Sequence, residues 1–202
     1  KNFIETCLQN NPDNADVWLM RGNVYLQLYN YDDTKLRKDP NYKVRYPDAV
    51  WTANESFVKA LQLNSKVEPR EKMFSAVYGQ SLCAAPLFEL GVQAFNSKDY
   101  ASAEKYFNTA STDFMLGRDT VDASKACYLL AVVYSAQQDQ ANAKKALIKA
   151  VNYKSTSKDV YLALHDIYMS EKDTLNRGKV INKALQVVPA KDLDEIYLLQ
   201  MS

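Results

Sequence analysis

The side chains that carry most enzyme chemistry are few in this chain. His165 is the only histidine, which removes multi-histidine metal sites and most histidine-dependent acid–base catalysis. Its neighbours Leu164 and Ile167 are apolar, so it reads as a packed, hydrogen-bonded structural residue. Cys7, Cys83 and Cys127 form no CxxC pair, which suggests neither a zinc nor a thioredoxin-like site. Cys7 and Cys127 fall on apolar helical faces and read as small buried hydrophobes. The 24 acidic residues are spread over predicted helices, and no two stand out as an acid/base couple. There is no phosphate-cradling glycine loop, no Gly-x-Ser-x-Gly elbow and no HExxH. The expectation is a protein without catalytic, cofactor-binding or metal-binding residues.

Composition points the same way. The 202 residues carry 25 Lys plus Arg against 24 Asp plus Glu, so no general attraction to nucleic acid or an anionic membrane is expected. No apolar run approaches membrane-spanning length. Only 5 Gly and 6 Pro argue against a turn-rich β-sandwich and against disorder. Ala, Leu, Lys, Gln and Tyr favour helices. The chain starts at Lys1 and stops at Ser202 inside an apolar helical pattern, Asp194 to Met201. It reads as a piece of a longer protein, with no signal sequence left to identify.

The helices that must position whatever site exists follow an internal repeat. Residues 84–117 hold Leu87, Leu90-Gly91 and Ala94, the turn Asn96 to Tyr100, then Ala103, Phe107 and Ala110. Residues 124–157 hold Cys127, Leu130-Ala131 and Tyr134, the turn Gln137 to Gln140, then Ala143, Leu147 and Ala150. Residues 158–190 hold Tyr161, Leu164-His165 and Tyr168, the turn Glu171 to Thr174, then Ile181, Ala184 and Pro189. Residues 15–65 hold Trp18, Gly22 and Tyr25, then Ala53, Phe57 and Ala60. Residues 1–12, with Ile4, Cys7 and Pro12, match the second half of a preceding unit, and 191–202 start a further helix.

This pattern resembles the tetratricopeptide repeat, a helix–turn–helix unit of about 34 residues. The resemblance implies an all-α, right-handed α–α superhelix of about four to five helix pairs. Small residues at Gly22, Gly91 and Ala131 would let paired helices approach, while Trp18, Leu87, Phe107 and Tyr134 fill the space between units. Three stretches depart from the pattern. Residues 31–47, with Pro40 and Pro47, are expected to form an inserted loop. Residues 66–83 read as an extra helix starting at Glu68-Pro69 and breaking near Pro86. Residues 112–122 read as an insertion in which Gly117 caps a helix before a loop. Arg177 occupies an alanine slot and marks a weaker last unit. The glycosylation triplet Asn54-Glu55-Ser56 lies on a predicted helix and is set aside.

In this family the first helices of successive units line a concave groove for peptides or partner helices. The resemblance places Leu19, Met20, Asn23, Leu26, Phe88, Glu89, Val92, Phe95, Tyr128, Leu129, Val132, Leu162, Asp166 and Met169 there. Lys125 is the one basic residue on these faces, so an adaptor that clamps a partner's C-terminal carboxylate is not expected. Phe88, Phe95, Tyr128, Leu129 and Met169 suggest an apolar floor. The leading expectation is a non-enzymatic interaction or scaffold module that binds a protein or peptide. The alternative is a glycan- or nutrient-binding part of a bacterial surface lipoprotein, using Tyr31, Tyr42, Tyr46 and Trp51. The Asn-, Tyr- and Lys-rich turns look like those of bacterial envelope members of the family, which leans the location toward the periplasm or cell surface.

Overall fold

A computed structural model describes residues 2–64 and 70–200. Among the described residues every regular element is a helix. In chain order they are α1 (Asn2–Asn10), α2 (Ala15–Lys38), α3 (Ala49–Asn64), α4 (Arg70–Leu82), α5 (Ala84–Asn96), α6 (Tyr100–Leu116), α7 (Thr120–Ala136), α8 (Gln140–Asn152), α9 (Lys158–Ser170), α10 (Thr174–Val187) and α11 (Asp194–Gln200). A 3-10 turn at Ala190–Asp192 precedes α11. The expected helix start at Glu68-Pro69 and the end of the pattern at Met201 lie outside the described residues.

The chain divides into two compact units. One comprises Lys1–Glu89 with Asp113–Arg118, the other Leu90–Thr112 with Asp119–Ser202.

In the first unit α2 packs on α1, α3 and α4. Its centre is Phe57 of α3, which is wholly buried. A Cβ placed on Gly22 of α2 would stand 2.5 Å from the Phe57 ring, and a Cβ on Gly79 of α4 would also stand 2.5 Å from it. Two glycines on two helices thus make the slot for one aromatic ring. Ala53, Ala60 and Ala76 are fully buried with it. Polar links tie α1 on: Arg21 Nε donates to Glu5 at 3.0 Å and the Tyr25 hydroxyl donates to Glu5 at 2.7 Å. Burial first, then Glu5, pushes the Tyr25 phenol up to about 12.

The loop expected over 31–47 is corrected. Helix α2 runs on through Lys38, because no proline intervenes before Pro40 and Arg37 pairs with Asp33 one turn back at 2.8 Å. The real loop begins at Asp39 and is fastened to α2 by Asp32. This carboxylate is 2% exposed and accepts from the Tyr42 hydroxyl at 2.7 Å and from the Arg45 and Tyr46 amides at 2.9 and 2.8 Å. Those hydrogen bonds outweigh its desolvation and hold it below the ordinary carboxylate range.

In the second unit Gly91 of α5 faces Phe107 of α6, with 2.8 Å left for a Cβ. Helix α7 packs on α8, α8 on α9, α9 on α10 and α10 on α11. Ala103, Ala126, Cys127, Leu147, Leu164 and Ile196 lie in this core. Arg177 is half-buried, and α10 buries only Ile181 and Ala184.

The turns between α5 and α10 share one device. Lys98, Arg118, Gln138, Lys154 and Lys172 all adopt φ near +60°. Asp99, Asp119, Asp139 and Asp173 follow four of these residues directly. Each aspartate side chain accepts from the amide three residues on, at 3.0–3.1 Å. The expected capping role of Gly117 is corrected accordingly. Helix α6 continues through Leu116, and Arg118 rather than Gly117 takes the left-handed conformation.

Candidate functional site

Of the residues expected to face a groove, Leu26 of α2 is corrected, because it is buried in the core; the others are half-buried or exposed, although most of them are apolar. On α2, Met20 and Asn23 are exposed and Leu19 is half-buried. On α5, Phe88 is half-buried and packs edge-on against Phe114 at 6.2 Å, while Glu89 is exposed. Further along α5, Val92 and Phe95 are half-buried, and Phe95 leans on Tyr100 at 5.9 Å. On α7, Tyr128, Leu129 and Val132 are half-buried. On α9, Leu162 is half-buried, and Asp166 and Met169 are exposed.

The second unit gives these residues a setting. Tyr128 and Lys125 of α7 line a recess of about 300 Å³ together with Ser155, Thr156, Ser157 and Val160. Burial, then the charge of Asp159, pushes the Tyr128 phenol up. It stays neutral at physiological pH and offers an apolar face with a hydroxyl tip. Lys125 is paired with Asp122 at 2.7 Å. A second recess of about 260 Å³ lies among α8, α9 and α10, lined by Ile148, Val151, Leu164 and Val180. Sequence reading missed this recess.

His165 is 2% exposed, with Nδ1 3.1 Å from Asp166. Its Nε2 is buried and, among the described residues, finds no partner, so only the other ring nitrogen is hydrogen-bonded as expected. The Cys83 and Cys127 thiols are buried, and desolvation pushes both pKa values up, which keeps them protonated. Among the described residues no group of three or more His, Cys, Asp or Glu could hold a metal ion. No described helix is long and apolar enough to cross a membrane.

The loop aromatics are partly used within the fold. Tyr42 spends its hydroxyl on Asp32, Tyr46 and Trp51 are half-buried, and Tyr31 is exposed beneath the Lys35 ammonium at 5.5 Å. Asn54 is 3% exposed and buried in α3, which removes it from glycosylation in the folded chain.

The sequence reading also passed over Asp113. It lies in the last turn of α6, is fully buried, and accepts hydrogen bonds from Asn54 of α3 and Gln80 of α4.

Two stretches match models of the tetratricopeptide repeat. Residues 3–35 cover most of α1 and of α2, and residues 124–157 cover most of α7 and all of α8. These two stretches are similar to tetratricopeptide repeats, and the all-helical fold of the described residues, with consecutive helices packed on one another, is consistent with a solenoid of that type. No curated protein matches it.

Proposed function

We propose that this protein is a non-catalytic interaction module that takes up a protein segment on the exposed faces of its repeat-opening helices. Tetratricopeptide repeats are in general protein-interaction or scaffold units. The observation that carries the finer reading is the apolar character of side chains left out of the core. Tyr128, Leu129 and Val132 on α7 and Leu162 and Met169 on α9 stay outside it, and Met169 is 52% exposed. Methionine and aromatic side chains at such positions suit apolar anchors from a partner. The neutral balance of the chain and the pairing of Lys125 with Asp122 support recognition by apolar contact, not by clamping a carboxylate. The style of the turns supports a place at the bacterial envelope, so envelope extracts are the first source of partners to try.

The test is a pull-down with the whole chain against its Tyr128→Arg/Met169→Arg variant. Both side chains lie outside the core, so the variant should keep the wild-type circular dichroism spectrum. Phe88 is a poorer choice, because its ring packs on Phe114. A protein held by the wild type and released by the folded variant supports the reading. Equal capture by both refutes it.

A further inference from the structure

Asp113 opens the last turn of α6, the part of that helix that belongs to the first unit, and faces α3 and α4. Its Oδ1 accepts from Gln80 Nε2 at 2.7 Å and its Oδ2 from Asn54 Nδ2. Asp113 is fully buried, and Asn54 and Gln80 nearly so. Among the described residues no lysine, arginine or histidine pairs with it. The groups facing it are the Asn54 amide from α3, the Gln80 amide from α4 and, at the α4–α5 junction, the buried Cys83 thiol. A lone carboxylate in such a place carries a desolvation cost that two neutral amide donors only partly offset.

We propose that this cluster is a protonation switch within the first unit, which locks α3, α4 and the last turn of α6 together when Asp113 is neutral and loosens them when it is charged.

The chemistry allows both states to be hydrogen-bonded. The charged form accepts from both amide NH2 groups. When Asp113 takes a proton on one oxygen, that oxygen becomes a donor. The facing Asn54 or Gln80 side chain then turns over to present its carbonyl oxygen, and the other amide continues to donate. No heavy atom outside the three side chains has to move. Burial raises the acid to about 7, against the lowering effect of Gln80 and Asn54. In the unfolded chain the same acid titrates in the ordinary range. The folded state therefore binds more protons between the two values, and its stability falls as pH rises from the unfolded pKa to the folded one. Above the folded value the loss is complete and the contribution is flat.

The measurement is thermal unfolding of the whole chain followed by tryptophan fluorescence, since Trp18 and Trp51 both lie in the first unit. The wild-type midpoint should fall from about pH 5 to about pH 8. Asp113→Asn, which cannot ionise and can pair with the same amides, should remove most of that fall. Parallel midpoint-against-pH curves for the two proteins would overturn the proposal. A direct reading avoids the folding of any variant: carboxyl-13C NMR of aspartate-labelled wild-type protein should show one aspartate titrating near neutrality. If every aspartate resonance titrates below about pH 5, the proposal fails.

Discussion

A single atom decides several residues here. Phe57 is held between Gly22 and Gly79, so a methyl group on either glycine has nowhere to go. Gly22→Ala should destabilise the protein by about 1–3 kcal/mol, the usual cost of overpacking, despite the better helix propensity of alanine. Gly178→Ala is the counter-case. It adds the same methyl group inside α10, where nothing lies within 4 Å, and should stabilise by about 0.5–1 kcal/mol. Chemical denaturation of the two variants checks both signs. Opposite shifts are expected, and shifts of the same sign would show that propensity, not contact, sets the outcome. The same logic explains a regularity along the chain. Gly91 and Phe107 meet in space. Ala131 with Leu147, and His165 with Ile181, stand at the same sequence spacing, with the aromatic ring kept for the pair that begins with glycine.

At the scale of the element, the turns matter most. Lys98, Arg118, Gln138, Lys154 and Lys172 hold a left-handed backbone that side chains disfavour. Gln138→Gly should therefore raise stability by up to about 1 kcal/mol, while Gln138→Val, branched at Cβ, should lower it by a similar amount. Thermal melts of the pair should bracket the wild type. The capping aspartates add a pH dependence opposite to that of Asp113. The hydroxyl and amide of Ser102 hold Asp99 below the usual carboxylate range, and the amide groups of Asn142 and Asn176 do the same for Asp139 and Asp173. Their contribution is present above the unfolded pKa and is lost only as pH falls through the lowered folded values. Helicity followed by circular dichroism should thus resist mild acid and fall in strong acid. Asp139→Ala should lose that acid-dependent part at the start of α8. An unchanged acid profile in this variant would show that the cap contributes nothing.

For the whole molecule, core and face should separate cleanly. Leu147→Ala opens a cavity at a 2% exposed site in the second unit and should cost about 2–5 kcal/mol, read as a lower denaturation midpoint. The Tyr128→Arg/Met169→Arg pair should leave that midpoint within experimental scatter and change binding only. A large loss of stability in the pair would place these side chains in the core. These contrasts also show what could be read in advance. The repeat was legible because Gly91 with Phe107 and Ala131 with Leu147 recur at constant spacing, and a helix interface demands that pairing of small with large. The extent of α2 was not legible. Tyr31 to Lys38 are polar enough for a loop, and only the distant Tyr42, Arg45 and Tyr46 supply the partners that bury Asp32.

The sequence by itself determined an all-helical repeat chain, because helix period and small–large pairing are local or countable properties. Only the tertiary structure decided which lone polar residues are stranded in the interior. Asp113 looks like any acidic residue on an amphipathic helix until Asn54 and Gln80, 59 and 33 residues away, close over it. Burial is a property of the assembled helices, and so is the cost of a charge within them.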